Sequence, residues 1–230
     1  MIETQQKNHN KLHLSAGILI SAILVFGILI INKPICHLLG LTGKAAFLNS
    51  RILFWIGLAL LFCYTRKIEK QKLLLWRDQR YTFIRYLKSI SLLLLTVFGT
   101  VISFSIIFYI LKLPYNSSEF EKVMNFFRGN LFLIIFTCVT AGVVEELIFR
   151  GYLLPRLELL FKNKYLAIGI SSLLFGLLHF GFGTLINIIG PIIIGFVFAL
   201  HYHEYRNVKV VIIVHFLWDF ILLMLKTNVP

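Results

Sequence analysis

The stretch Leu131–Phe161, LFLIIFTCVTAGVVEELIFRGYLLPRLELLF, decides how this chain folds. It opens as an apolar run and then carries two adjacent carboxylates, Glu145 and Glu146, into the same greasy surroundings. An ionisable group inside a membrane is expensive, so its presence there points to a functional site. Glu146 and Arg150 stand four apart with the acid first, the spacing and order that let two side chains pair on one helix face. Glu145 lies about 100° around the axis and has no such local partner. One carboxylate is thereby neutralised for structure while its neighbour stays free for chemistry.

Composition sets the class around this stretch. The chain is 58% hydrophobic, has 22 Phe and a mean hydropathy of +0.84, and only 14% of its residues are charged. Soluble domains carry about 25% charged residues, so these values place the chain in a membrane. Only helices and closed barrels satisfy their backbone in lipid, and long continuous apolar runs exclude the alternating pattern of a barrel. The fold class expected is all-α, a polytopic transmembrane bundle of about seven spans in one membrane domain, residues 1–230. The formal charge of +13 suits basic loops against an anionic leaflet, so the lipid bilayer is the partner and no nucleic acid is called for. Cys36, Cys63 and Cys138 have no motif spacing; Cys63 and Cys138 fall in apolar runs and read as small buried hydrophobes.

In chain order, a polar tail with Lys7, His9, Lys11 and His13 precedes a first span, Leu14 to Ile31. This run exceeds the apolar core of a cleaved signal and lacks a small-residue cleavage site, so it is read as retained. A second span covers about Ala45 to Tyr64, with Arg51 near its start able to snorkel to the interface. Between Thr65 and Lys88 basic residues interleave with Leu73, Leu74, Leu75, Trp76, Tyr81, Phe83 and Ile84, the composition of an interfacial amphipathic segment. A third span, Ser89 to Leu111, completes the N-terminal helices 14–111. Pro114 to Asn130 reads as a polar connection. Lys and Arg concentrate in the N-tail and in the 65–88, 150–164 and 201–209 regions, which puts the N-terminus in the cytoplasm.

The extent of the fourth span governs whether a site can form. Were the helix to stop at Phe149, its glutamates would lie at one membrane face and His179 near the other. A helix continuing through LLPRLELLF to Phe161, bent at Pro155, puts the turn at Lys162-Asn163-Lys164. Glu145 is then 18 residues before Asn163 and His179 is 16 after it, at similar depth on two antiparallel arms. A fifth span, Tyr165 to Phe180, a sixth, about Leu185 to Leu200, and a seventh, about Val208 to Leu225, follow. His215 and Asp219 lie in the last, again four apart. His201, His203 and Glu204 resemble a metal cluster but fall at a loop, where a solvated turn is the plainer reading. Gly181, Gly183, Gly190 and Gly195, with Pro191, read as turn and close-packing positions.

The three motifs EELIFR (Glu145–Arg150), FGLLH (Phe175–His179) and HFLWD (His215–Asp219) stand in order on successive helices. Together with FRGYLLPRL they resemble the CPBP family, the CAAX-protease and bacteriocin-processing enzymes of the wider Abi group, marked by EExxxR, FxxxH and HxxxN/D. The resemblance covers a protease-like core of about residues 125–225; the first three spans match only in being hydrophobic. It implies an intramembrane endopeptidase of a prokaryotic inner membrane, acting on a membrane-associated, prenylated or leader-type peptide. Carried over residue by residue, Glu145 is the general base for water, aided by His179. His215 and Asp219 line the opposite wall, and Glu146 and Arg150 support the others. A carboxylate in an apolar, partly wet cavity holds a proton more tightly than one in water, which suits a base working near neutral pH.

The family is commonly described as metalloprotease, and metal-free Glu/His activation of water is the other possibility. Glu145, His179 and His215 would supply three ligands of the kinds Zn²⁺ or another divalent metal takes, leaving one position for water. No HExxH signature is present. Asp219 stands where the family also has Asn; an ionised Asp cannot donate to an oxyanion, so it fits an orienter of His215 or a fourth ligand. Two other classes share such polar helices: a non-catalytic scaffold or immunity protein of the same fold, and a proton-coupled carrier. The carrier predicts inverted repeats, for which the first half has no matching motif.

Overall fold

The computed structural model describes residues 2–114 and 117–227, with side chains from residue 12 onward. Among these residues no strand occurs, and seven helical segments are long and apolar enough to cross a membrane: Leu12–Leu38, Gly43–Glu69, Phe83–Ile110, Leu131–Phe161, Lys164–Phe182, Ile186–Tyr205 and Val208–Thr227. Within them and between them we number α1 (Ile2–Leu38), α2 (Gly43–Tyr64), α3 (Phe83–Ile110), α4 (Ser118–Phe127), α5 (Leu131–Thr140), α6 (Leu154–Phe161), α7 (Lys164–Leu177), α8 (Ile186–Tyr205) and α9 (Val208–Thr227).

The fourth span is the axis of the bundle. Its most apolar window is 61% buried, against 11% to 33% for the others, so it is enclosed by protein while its neighbours face lipid. It is continuous from Leu131 to Phe161, but its middle is wound wider: π turns at Ala141–Glu145 and Leu147–Leu153 separate α5 from α6. The chain does not leave the membrane at Phe149. Pro155 sits at the start of α6, where the hydrogen-bond register changes from π to α, so its missing N–H is tolerated there. Lys162 adopts a left-handed conformation with φ 53°, and the Asn163 side chain caps α7 by accepting from the Tyr165 and Leu166 N–H groups. The helical hairpin therefore turns where the sequence placed it.

Two glycines let backbones meet around this axis. A Cβ at Gly142 would come within 2.9 Å of the Ile212 carbonyl and 3.2 Å of the Phe216 nitrogen, so α9 lies directly on the first π turn. A Cβ at Gly176 would meet the Ile188 carbonyl at 2.8 Å, which is how closely α7 packs on α8. Neither was singled out by sequence. Of those that were, Gly190 and Gly181 face open space, and Gly183 supplies a positive φ of 79° after the short turn Phe180–Phe182.

Several local expectations change. α1 runs on through Pro34 to Leu38, and α3 begins at Phe83 rather than Ser89. The Lys7, His9 and Lys11 side chains lie outside the described residues. Cys63 is exposed on its span rather than buried, whereas Cys36 and Cys138 are buried. The connection before Asn130 contains a helix, α4, whose Phe120, Met124 and Phe127 join α5 and α9 in a second apolar cluster; its residues 115 and 116 lie outside the described ones. The basic segment is not a surface helix. After a π turn, Thr65–Glu69, residues 70–82 run irregularly with Lys and Arg outward and Leu73, Leu74, Leu75 and Trp76 half-buried against the bundle.

That loop is held by Arg156, which is wholly buried. Its Nε and Nη2 donate to the two Glu69 oxygens at 2.7 and 2.9 Å, and its Nη groups also reach the Leu73 and Lys72 carbonyls at 3.1 and 3.0 Å. Trp76 stacks near Tyr202 at 5.3 Å with the Arg206 guanidinium 3.4 Å from its ring centre, so the loop also closes over the end of α8.

Candidate active site

Glu146 is the hub of the polar core. Arg150 Nη1 donates to its Oε1 at 2.7 Å, and both side chains are fully buried. The i, i+4 pair read from sequence is present. The same oxygen also accepts from His215 Nδ1 at 2.8 Å, a contact between helices that sequence spacing did not reveal. Because a carboxylate accepts, Nδ1 of His215 carries a proton. Its Nε2 faces Asp219 Oδ2 at 3.5 Å, at the limit of a hydrogen bond. Arg150 spends its other amino group on the Gly195 carbonyl at 3.1 Å, tying α8 to the same hub.

Phe175 spaces the rings. It touches Phe149, His179 and His215 at centroid distances of 5.3, 5.5 and 5.8 Å, and the Arg150 guanidinium lies 4.4 Å from its ring centre. His179 sits just past α7, with Nδ1 3.1 Å from the Phe175 carbonyl. A carbonyl only accepts, so Nδ1–H donates and Nε2 is the basic nitrogen. Glu145 is 6% exposed and forms no hydrogen bond or ion pair among the described residues; its Oε2 and that of Glu146 are buried with no partner. A buried carboxylate oxygen without a protein donor is a place for water. Glu145 lies within electrostatic reach of His215, Arg51, Glu146 and Arg150, as His179 does of Asp219 and His215. The six expected residues converge, with Glu145 the unpaired acid among paired ones.

Residues 127–221 match the family model for type II CAAX prenyl endopeptidases, Rce1-like. Over this segment, which is under half of the chain, the protein is similar to the Rce1-like CAAX endopeptidases. No curated protein and no solved structure matches the chain. The Rce1-like segment contains all six residues just described, from Glu145 to Asp219.

The expected metal was set against this donor arrangement. Among the described residues no three His, Cys, Asp or Glu side chains are gathered so as to hold an ion. His215 Nδ1 and His179 Nδ1 are engaged by Glu146 and by a carbonyl, and His215 Nε2 faces Asp219. Glu145, His179 and His215 are thus not gathered as a ligand set among the described residues.

Two further placements differ from the sequence reading. His201 and His203 belong to the last turns of α8, not to a loop: His201 is buried and shares a 3.1 Å hydrogen bond with Ser89, and His203 Nε2 lies 3.2 Å from Glu158. They join helices far along α8 from the Rce1-like centre. Arg51, outside the Rce1-like segment, does not snorkel away. Its guanidinium lies 4.9 and 5.1 Å from the Phe47 and Phe54 ring centres, within electrostatic reach of Glu145 and Asp219.

Proposed function

We propose that the chain is an intramembrane endopeptidase that hydrolyses a membrane-associated peptide, prenylated or leader-like, with water activated by Glu145 and His179. The observation that carries this is Glu145 itself: buried and without an ion-pair partner beside a Glu146–Arg150–His215 set joined through Glu146 Oε1. The pairing of Glu146 leaves its neighbour Glu145 able to take a proton. Glu145 removes a proton from water as the water oxygen bonds to the scissile carbonyl carbon. The basic Nε2 of His179 shares that proton. Glu145 then returns it to the amide nitrogen, the C–N bond breaks, and the carboxylate is restored. His215, held by Glu146 through Nδ1, lines the opposite wall with Asp219, and when protonated on both nitrogens its Nε2–H steadies the oxygen on which charge develops.

The side chain of Asp219 is 28% exposed while those of His215 and Glu146 are 5% and 0%, so water and substrate enter past Asp219. The basic residues of the 65–82 loop and the N-tail support a cytoplasmic N-terminus, in keeping with the prokaryotic inner membrane that the family resemblance implies. The test is cleavage of an internally quenched, S-farnesylated peptide by purified protein. Glu145→Gln and His179→Ala should each lower kcat by about 100- to 10,000-fold, with unchanged thermal melts. Their double variant should be little worse than either single, because residues acting as one unit are non-additive. Retention of more than about a tenth of wild-type activity by either single variant would overturn the assignment.

A further inference from the structure

Adding water to a peptide carbonyl puts negative charge on its oxygen, and that oxygen is best met by hydrogen-bond donors already in place. The polar core is poor in them. An ionised Asp219 has no hydrogen to give, and Arg150 is spent on Glu146 and the Gly195 carbonyl. His215 offers Nε2–H only when protonated on both nitrogens, and that atom also faces Asp219 at 3.5 Å.

Asn187, in the first turn of α8, holds a neutral donor. Its Nδ2 is buried and has no hydrogen-bond partner among the described residues. Asn32, Asn49 and Asn207 each give their amide nitrogen to a protein acceptor, at 3.3, 2.9 and 3.0 Å. A buried amide nitrogen with no acceptor is costly, so this one calls for a reason. Packing contacts set its level. A Cβ at Gly176 would meet the Ile188 carbonyl and the Ile192 nitrogen at 2.8 and 2.9 Å. Because α7 and α8 run antiparallel, three residues on from Gly176 and three back from the middle of Ile188–Ile192 set His179 across from Asn187.

The direction of the side chain follows from helix geometry. Ile194 and Phe198, seven and eleven residues on, lie within about 20° of Asn187 around α8. Phe198 turns this face to the centre, its ring 5.4 Å from that of His215 and 5.5 Å from the Arg150 guanidinium. The unpaired amide therefore lies on the inward face of α8, opposite His179.

We propose that Asn187 is a further catalytic residue, its Nδ2–H donating to the scissile carbonyl oxygen as water adds. This rests on the peptidase reading above and adds a second oxyanion donor to that site. As the water oxygen bonds to the carbonyl carbon and Glu145 takes the water proton, the C=O electron pair moves onto the oxygen. Asn187 meets that charge without transferring a proton. The pair returns to re-form C=O as the C–N bond breaks and Glu145 gives its proton to the nitrogen.

The experiment uses the internally quenched, S-farnesylated peptide and an analogue with a phosphinate in place of the scissile amide, a stand-in for the charged tetrahedral intermediate. Asn187→Leu should lower kcat by about 100- to 1,000-fold and change KM by less than about threefold. Asn187→Asp keeps the shape but loses the N–H and should be as slow, whereas Asn187→Gln should keep part of the rate. Asn187→Leu should melt no lower than wild type, because it removes a buried donor that has no protein partner. An unchanged kcat, a loss confined to KM, or a melt below wild type overturns the proposal. Equilibrium binding separates it from the peptidase reading. Asn187→Leu should weaken phosphinate binding at least about tenfold, and in the Glu145→Gln form should leave binding of the cleavable peptide unchanged. If wild type cleaves nothing, the peptidase reading fails; selective weakening of the phosphinate still supports the donor, and equal phosphinate binding overturns it.

Discussion

At the scale of single residues, the core is an unequal division of charge. Two adjacent glutamates sit in one apolar span, and Glu146 alone is paired: Arg150 at 2.7 Å and His215 at 2.8 Å share its Oε1. Glu145 is left without a partner. Removing one member of a buried ion pair strands the other, which costs about 3–5 kcal/mol. Arg150→Ala should therefore lower both the thermal midpoint and cleavage, since it strands Glu146 and releases the Gly195 carbonyl. Arg150→Lys should recover stability only in part, because a point charge cannot serve Glu146 and the carbonyl as a planar fork does. A wild-type melt for Arg150→Ala in detergent would show that the pair is not the buried hub described here.

At the scale of elements, the π turns and Gly142 set the geometry that the residues use. A straight α-helix through Ala141–Leu153 would rotate Glu145, Glu146 and Arg150 to other faces; the wider turns re-aim them, as π insertions commonly do at functional sites. Opposite them, α9 approaches so closely that a methyl on Gly142 would press on backbone atoms of Ile212 and Phe216. Backbone cannot step aside as a flexible side chain can. Gly142→Ala should displace α9, and with it His215, at a cost of about 1–3 kcal/mol and a large loss of kcat. Gly190→Ala, with open space at its Cβ, serves as the control and should be silent in both measurements. Equal behaviour of the two variants would mean that α9 does not lie on the π turn.

At the scale of the molecule, the Rce1-like segment leans on the N-terminal spans through a few polar ties. Trp55 bonds Thr140, Ser89 bonds His201, and Arg156 gathers Glu69 and the carbonyls of the 70–82 loop. With little hydrophobic drive between helices in lipid, such close packing and hydrogen bonds carry the association. Arg156→Ala leaves Glu69 without its partner and frees the loop. It should cost about 3–5 kcal/mol and speed tryptic cleavage at the exposed Lys70 and Lys72, while the Glu145 site keeps its chemistry until the protein melts. An unchanged tryptic pattern would show that the loop is held by Trp76 and its neighbours instead.

Whatever depends on a local window of residues was determined by the sequence alone. Apolar runs of span length announced seven helices, a four-residue spacing announced the Glu146–Arg150 pair, and the polar Lys162-Asn163-Lys164 break after LLPRLELLF marked the hairpin turn. The limits of this kind of reading show in the basic 65–88 segment, whose interleaved pattern fits a helix and a folded-back loop equally well. What only the tertiary structure decided is which faces meet. The second partner of Glu146, the inward turn of Arg51, and the contacts of Gly142 and Gly176 depend on the rotation, tilt and hydrogen-bond register of helices distant in sequence. A change of register from α to π turns a side chain to another face without altering the hydropathy of the run that contains it, so no local pattern records it.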